Sequence, residues 1–451
     1  MLRIIALLLT AVILIGLIAL KVRESTSTSF TLIGEYAVEG NAEIIAATPD
    51  GLYIVHTNSK NSSVDLVEIA DPANPSTVIS IPVPGEPTSV GISPDGLWAM
   101  AVVFAAQSKA GKKPVDPRLP GLLALIDLRN PQQAAITKLI GIGHHPDSIA
   151  IASSGDELHA IIAIENEPLI VTDNVVIDND KPGQKNDISK PGAIEIISLN
   201  PLRPERYTST TIPLDQATLS DALMLFPEDP QPEYVAIAPN KKLAAISLQE
   251  NNGIVLIDPV KAEIVSAFNL GKSVTQQADL IADGKVSLVQ NYPDDAVEQP
   301  YAGVRFPDAV AFHPNGRYLI TADEGEFKLS GGRGFSIWSI EGGFVWDDAG
   351  EIEREAAKLD LYPEERSDVR GVEVEGVTTA RFSNADYAFL LSERGSFVAI
   401  YDISNPKTPV FIQIIPTSTA PESAVAIPSR NLLVIAGEKD GALTLIEGPA
   451  K

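Results

Sequence analysis

One short segment recurs seven times along the chain, and no other feature of the sequence restricts its fold so severely. Each copy opens with Pro-acidic-x-hydrophobic-Ala or a variant and passes through a Pro-Asp-Gly-like turn. It returns as an apolar strand ending in acidic or amide residues, then enters a third strand ending in Asp or Asn, often followed by Pro. The openings are Glu43-Ile44-Ile45-Ala46, Pro87-Thr88-Ser89-Val90, Pro146-Asp147-Ser148-Ile149-Ala150, Pro232-Glu233-Tyr234-Val235-Ala236, Pro307-Asp308-Ala309-Val310-Ala311, Val374-Glu375-Gly376-Val377 and Pro421-Glu422-Ser423-Ala424-Val425. Turns follow at Pro49-Asp50-Gly51, Pro94-Asp95-Gly96, Gly155-Asp156, Pro239-Asn240, Pro314-Asn315-Gly316, Ser383-Asn384 and Pro428-Ser429-Arg430-Asn431.

Return strands read at residues 52–55, 97–104, 158–164, 243–248, 318–321, 387–391 and 432–436. Third strands read at 64–69, 122–128, 193–199, 254–257, 335–340, 397–403 and 443–446. Short β-rich runs punctuated by turn residues, without alternating helices, make the chain all-β. Proline presets φ in these turns and glycine tolerates positive φ. Seven such sheets arranged radially cover one another's faces and leave only short edges, so a seven-bladed β-propeller is expected over residues 30–448. The second and sixth openings are degenerate, which leaves six or eight blades open. The last copy ends near Ile446 without an outermost strand, and Phe30-Thr31-Leu32-Ile33-Gly34-Glu35-Tyr36 is placed to supply it.

Three insertions break the period. Residues 166–191 are polar and contain Asp178-Asn179-Asp180; residues 276–306 carry Asp279, Asp283 and Asp294-Asp295; residues 351–361 have the only convincing helical composition. The Asp178-Asn179-Asp180 loop lacks the glutamate that ends a calcium-binding EF-hand loop, and reads as a solvated turn.

The N-terminus is a separate matter. After Met1-Leu2-Arg3 comes an apolar run over residues 4–20, broken only by Thr10 and Gly16, and then Lys21-Val22-Arg23. As an N-terminal hydrophobic helix it would span about 26 Å, slightly under the ~30 Å of a hydrocarbon core. Both a signal-anchor and a signal peptide over residues 1–23 fit. No small-x-small site directly follows the run, so an uncleaved anchor is the expectation, with a polar linker over residues 24–29. Either form exports the propeller, to a periplasmic or cell-surface position.

Charge narrows the partners. Lys and Arg number 34 against 59 Asp and Glu, a net charge of −25. Such a field repels phosphate backbones, so no nucleic acid is expected, whereas divalent cations or basic ligands are. The chain has no cysteine, which removes disulfides, thiolate metal sites and cysteine nucleophiles.

Propeller topology says where the carboxylates go. The first strand of a blade leaves one face and the second returns to it, so first-strand starts and second-strand ends share a face. Strand starts contribute Asp147, Glu233, Asp308, Glu375 and Glu422; strand ends contribute Glu165, Glu167, Glu250, Asp323, Glu324, Glu326, Glu393 and Glu438. Two carboxylates ~6 Å apart repel by ~3 kcal/mol at an effective dielectric of 20. Bound cations, raised pKa values or basic neighbours must offset this. The basic candidates are His144, His145, Lys328, Arg333, Arg366, Arg370 and Arg394. An all-oxygen donor set suits Ca2+ or Mg2+ better than zinc. A hydrated channel, or carboxylates that merely cap backbone amides, is the competing structural explanation.

Several residues also resemble a known family. Pro232-Glu233-Tyr234-Val235-Ala236 with Ser247-Leu248-Gln249-Glu250-Asn251-Asn252, and Pro307-Asp308-Ala309-Val310-Ala311 with Thr321-Ala322-Asp323-Glu324-Gly325-Glu326, look like the choice-of-anchor I family. That group includes the mesenchyme-specific cell surface glycoproteins. Further matches are Gly332-Arg333-Gly334-Phe335-Ser336-Ile337, Tyr362-Pro363-Glu364-Glu365-Arg366-Ser367, Val374-Glu375-Gly376-Val377 and Ser392-Glu393-Arg394-Gly395. The resemblance implies an extracytoplasmic propeller held by varied anchors. Some bacterial relatives carry a phytase-like esterase domain, expected to be absent here. Asp323 stands where the family commonly has asparagine, and Ser423 where it has glycine.

The sequence contains no Gly-x-Ser-x-Gly elbow, no phosphate-cradling Gly-x-x-x-x-Gly-Lys loop and no His-Glu-x-x-His helix. A non-catalytic, membrane-tethered binding module is therefore expected. The alternative is a metal-dependent phosphoester hydrolase, phytase-like or alkaline phosphatase-like, with Arg333, Arg366, Arg370 and Arg394 on the phosphate.

Overall fold

A computed structural model describes residues 29–104, 119–165, 169–172, 175–178, 192–275, 278–288, 301–326 and 330–450. The anchor or signal segment at 1–23, linker residues 24–28, Glu167, Asn179, Asp180, Asp294, Asp295 and Lys328 lie outside the described residues. No helix among the described residues is long and apolar enough to cross a membrane.

The turn chemistry sets the blades locally. In the first blade, Thr48 Oγ1 donates to Asp50 Oδ1, which also accepts from Leu52 N at 3.0 Å, and Gly51 takes φ +70°. The second blade repeats the device with Ser93, Asp95, Leu97 and Gly96. In the fifth, Asn315 Oδ1 accepts from Arg317 N at 2.9 Å around Gly316. Third strands end in Asp or Asn for a related reason: Asp127, Asp258, Asp402 and Asn200 accept from a backbone N–H two residues on, starting the next turn.

Seven four-stranded antiparallel sheets result, with innermost strands Ile45–Ala47, Glu86–Ile92, His145–Ser154, Pro232–Ile237, Val310–Phe312, Val374–Phe382 and Pro421–Ile427. Second and third strands are buried on both faces; Trp98–Phe104 is buried throughout, which is why these strands read as continuous apolar runs. An apolar cluster fills each of the seven gaps between neighbouring blades, so the core is a ring of wedges, not one centre. The outermost strands, such as Tyr207–Pro213, are mostly exposed and lack that signature.

The ring closes with strands from both ends of the chain. Thr31–Ala37 pairs antiparallel with Ala442–Glu447, from Thr31 opposite Glu447 to Ala37 opposite Ala442. This supplies the outermost strand of blade 7, as the sequence predicts. Serines in the openings bind blade to blade: Ser89 Oγ accepts from Ile149 N, Ser148 Oγ from Val235 N, and Ser423 Oγ from Ile45 N. Ser423, a departure from the family pattern, thus ties blade 7 to blade 1.

Two expectations need correcting. The helix predicted over 351–361 ends at Lys358 (Glu351–Lys358), burying Ile352, Glu353 and Ala356. A second helix, Gln216–Asp221, is present as well, capped by Asp215 accepting from Thr218 N. It is under two turns long, too short to show helical periodicity. Two hairpins rise from the insertions, Leu169–Thr172 with Val175–Asp178 and Lys272–Thr275 with Tyr301–Val304.

Candidate functional site

Four of the inner strands begin with a backbone irregularity that aims an acidic residue at the axis. The register shifts between Pro146 and Ile149, Pro232 and Val235, Val374 and Gly376, and Pro421 and Ser423. Asp147, Glu233, Glu375 and Glu422 fall inside these bulges, where the extra residue turns a side chain out of the sheet's alternation. Gly376 permits a close approach of blades 6 and 7: a Cβ there would lie 2.2 Å from the Glu422 carbonyl oxygen.

The axial mouth so formed is a cavity of about 520 Å³, and thirteen of its lining side chains are carboxylates. Asp147, Glu165, Glu233, Glu250, Asp308, Glu324, Glu326, Glu375, Glu393, Glu422 and Glu438 all line it. Glu43 and Glu86 join them, and both were missed from the sequence. Glu43 heads the first opening in the place the other blades give their acid. Glu86 stands one residue before Pro87, because Thr88 occupies the usual acidic position and donates instead to the Pro146 carbonyl at 2.8 Å.

Asp323 does not belong to the mouth. It is 1% exposed and faces Arg305 Nε at 3.2 Å, accepting also from the Thr321 and Ser336 hydroxyls. Asp323 is the last residue of its strand and turns into the sheet toward Arg305, whereas Glu324, just past the strand end, lines the mouth.

The arginines divide the same way. Arg333 is fully buried, with Nη1 donating to the Asp279 carbonyl at 2.9 Å and facing Glu353 Oε1 at 3.2 Å, and Nη2 donating to the Ser367 carbonyl at 2.7 Å. Arg366 is held on both oxygens of Glu373 and is not among the lining residues. Arg370 and Arg394 do line the mouth. Arg370 contacts Glu324 at 3.0 Å and Glu373 at 3.1 Å; Arg394 contacts Glu393 at 2.8 Å and Glu373 at 3.2 Å. Glu373, fully buried at φ +49°, is a hub for three arginines that no sequence pattern marks. His145 lines the mouth with Nδ1 3.3 Å from Glu165; His144 is outside it and sits 3.1 Å from the Leu119 carbonyl.

Crowding and burial leave a clear electrostatic signature. Desolvation pushes Asp147 up to about 7. Glu43 rises to about 7 through burial, with Glu438 and Glu86 adding to it against the Ser59 and Asn41 hydrogen bonds. Glu324 reaches about 7 because burial outweighs Arg370. Burial, then neighbouring carboxylates, hold Glu233, Asp308, Glu375 and Glu422 well above the ordinary range.

Among the described residues, one trio of carboxylates draws together. Carboxylate oxygens of Glu165, Glu233 and Glu250 lie within 4.8 Å of one another. Glu165 ends a second strand of blade 3, Glu233 starts blade 4, and Glu250 follows the second strand of blade 4. Glu233 Oε2 is shut off from solvent and makes no hydrogen bond. Hard oxygen donors converging at this spacing could hold a cation such as calcium or magnesium.

Fold and mouth together define a seven-bladed β-propeller with an acidic axial opening. A model of the Choice-of-anchor I domain matches residues 43–329 and 327–406, and the chain belongs to that family. No curated protein matches it in sequence. Among solved structures, Kuenenia stuttgartiensis hydrazine synthase is 14% identical, with a TM-score of 0.54 covering 91% of this chain and 97% of that one. The Myceliophteria thermophila Cps50 (Swd1) β-propeller domain is 8% identical, with a TM-score of 0.54 covering 93% of this chain and 99% of that one. At such identities the likeness concerns the fold alone.

Proposed function

We propose that this protein is an exported, membrane-tethered binding module that takes up divalent cations, calcium foremost, in its axial mouth. The observation that carries the reading is the Glu165–Glu233–Glu250 trio, with oxygens within 4.8 Å and Glu233 Oε2 lacking a partner. Charges that close repel by about 3.5 kcal/mol per pair at an effective dielectric of 20. A proton on Glu233 relieves this in the absence of metal, consistent with its raised pKa. A cation relieves it better and displaces the proton. A basic group from a partner would satisfy the same carboxylates, bound either directly or beside the ion. The apolar run over residues 4–20 and membership of the choice-of-anchor I family support a tethered, extracytoplasmic position.

The hydrolase alternative draws less support from the mouth. Arg370 and Arg394 are committed to carboxylates, and Arg333 and Arg366 lie outside the lining. A phosphate would have to compete with those carboxylates for the arginines.

Calorimetric titration of the full chain in detergent with calcium tests the proposal. Binding with proton release is expected at pH 7, weakened at least tenfold in Glu233→Gln. Absence of binding heat, together with a melting temperature indifferent to calcium and chelator, rules the cation reading out. Calcium-dependent phosphomonoester turnover lost in Glu250→Ala would move the assignment to the hydrolase.

A further inference from the structure

The two ends of a blade are chemically unlike, and the chain emerges from only one of them. In blade 7 the rows run Thr31–Glu447–Leu432–Ile427 at one end and Ala37–Ala442–Gly437–Pro421 at the other. Glu422 and Glu438 adjoin the second row and line the mouth. The chain leading from residues 4–20 therefore reaches the propeller at Thr31, on the face opposite the carboxylates. Phe30 anchors that point, 3% exposed and edge-on to Phe382, Tyr387 and Phe389.

From this we infer that the propeller stands with its acidic mouth facing away from the bilayer, so that the mouth receives dissolved cations or cationic groups from the side distal to the membrane. The inference rests on the tether proposed above. Thr31–Ala37 carries the chain about 20 Å from the far face to the mouth face. The seven steps from Arg23 to Phe30 run through a Ser/Thr-rich linker whose typical end-to-end distance is about 15 Å, and about 25 Å at its limit. Turning the mouth to the membrane would stretch that linker nearly straight up the outside of the blade. It would also press the most acidic surface against headgroups that are themselves often anionic. Elaboration follows the same division. The hairpin Leu169–Thr172 with Val175–Asp178 follows Glu165, the hairpin ending at Val304 precedes Asp308, and the helix Glu351–Lys358 follows Asp347, all at the mouth end of their blades. Among the described residues the opposite face carries short connections, including the single-turn 3-10 helices Pro131–Gln133 and Pro428–Arg430.

The absence of native cysteine makes the test direct, because a single introduced cysteine can be labelled without background. Lys407→Cys places a donor fluorophore on an exposed turn of the far face, and Lys60→Cys on an exposed turn beside the mouth. Asn384→Cys and Asp440→Cys form a second exposed pair, should either of the first fold poorly. Full-length protein is reconstituted into phosphatidylcholine vesicles bearing a headgroup acceptor, floated, and read by energy transfer. Transfer several-fold stronger from the far-face labels is the expected result. Protein that floats with equal or reversed transfer overturns the orientation and leaves the tether standing. Protein that fails to float removes the tether, and the orientation with it.

Discussion

Arg333 and Glu353 show how much one residue's surroundings change its meaning. By sequence Arg333 is one of the basic candidates to offset the crowded carboxylates, yet both side chains are completely buried and 3.2 Å apart. The guanidinium also covers the Tyr301 ring at 5.1 Å and binds two backbone carbonyls, joining the 278–288 segment to helix Glu351–Lys358. Burial still lifts Glu353 to about 7 despite the arginine. Removing one partner strands the other, so Arg333→Met should cost about 3–5 kcal/mol in urea unfolding, and Arg333→Met with Glu353→Leu should recover most of it. Sequence marks the arginine as cationic; only packing says it faces inward. Glu43 is the opposite case, since its place at the head of an opening was visible and the equivalence of that place was the missing step.

At the level of elements, the closing strand joins residues some 410 positions apart in a chain of 451. Its packing depends on Phe30, wedged among three aromatic rings between blades 6 and 7. Phe30→Ala should cost about 3–5 kcal/mol, read as a lowered melting temperature. Loss of the whole Thr31–Ala37 strand would leave Ala442–Glu447 as an open edge and should promote association at high concentration, detectable by light scattering. Inner, second and third strands were legible because turn chemistry and continuous apolar runs mark them. Fourth strands were not, because they are mostly exposed and carry little pattern beyond the turn that precedes them.

For the whole molecule, charge makes stability depend on pH in a determinate direction. Free carboxylates titrate near pH 4, whereas Asp147, Glu43 and Glu324 fold with values of about 7, and Glu233, Asp308, Glu375 and Glu422 well above their ordinary range. Between pH 4 and these folded values the native state binds more protons than the unfolded chain, so stability falls as pH rises through that window. His56 and His159, lowered by burial, act the other way only below about pH 6.5. Metal-free protein should therefore melt about 5 °C or more lower at pH 8 than at pH 5, with saturating calcium reversing much of the loss. Scanning calorimetry at both pH values, with chelator and with calcium, checks this; a flat or rising profile without metal would contradict it.

Local sequence determined the first three strands of each blade, the turns and the sharing of one face by most of the acids, and it pointed to seven blades without excluding six or eight. These follow from short-range rules: turn residues set reversal points, and strand direction alternates from one strand to the next. Convergence was decided by tertiary structure alone. Bulges rotate Asp147, Glu233, Glu375 and Glu422 toward the axis, while Asp323, one residue from Glu324, turns toward Arg305. A carboxylate carries the same letter in either place. Which way it points depends on backbone geometry and on neighbours that come from other blades, and a linear sequence does not hold that information in any local pattern.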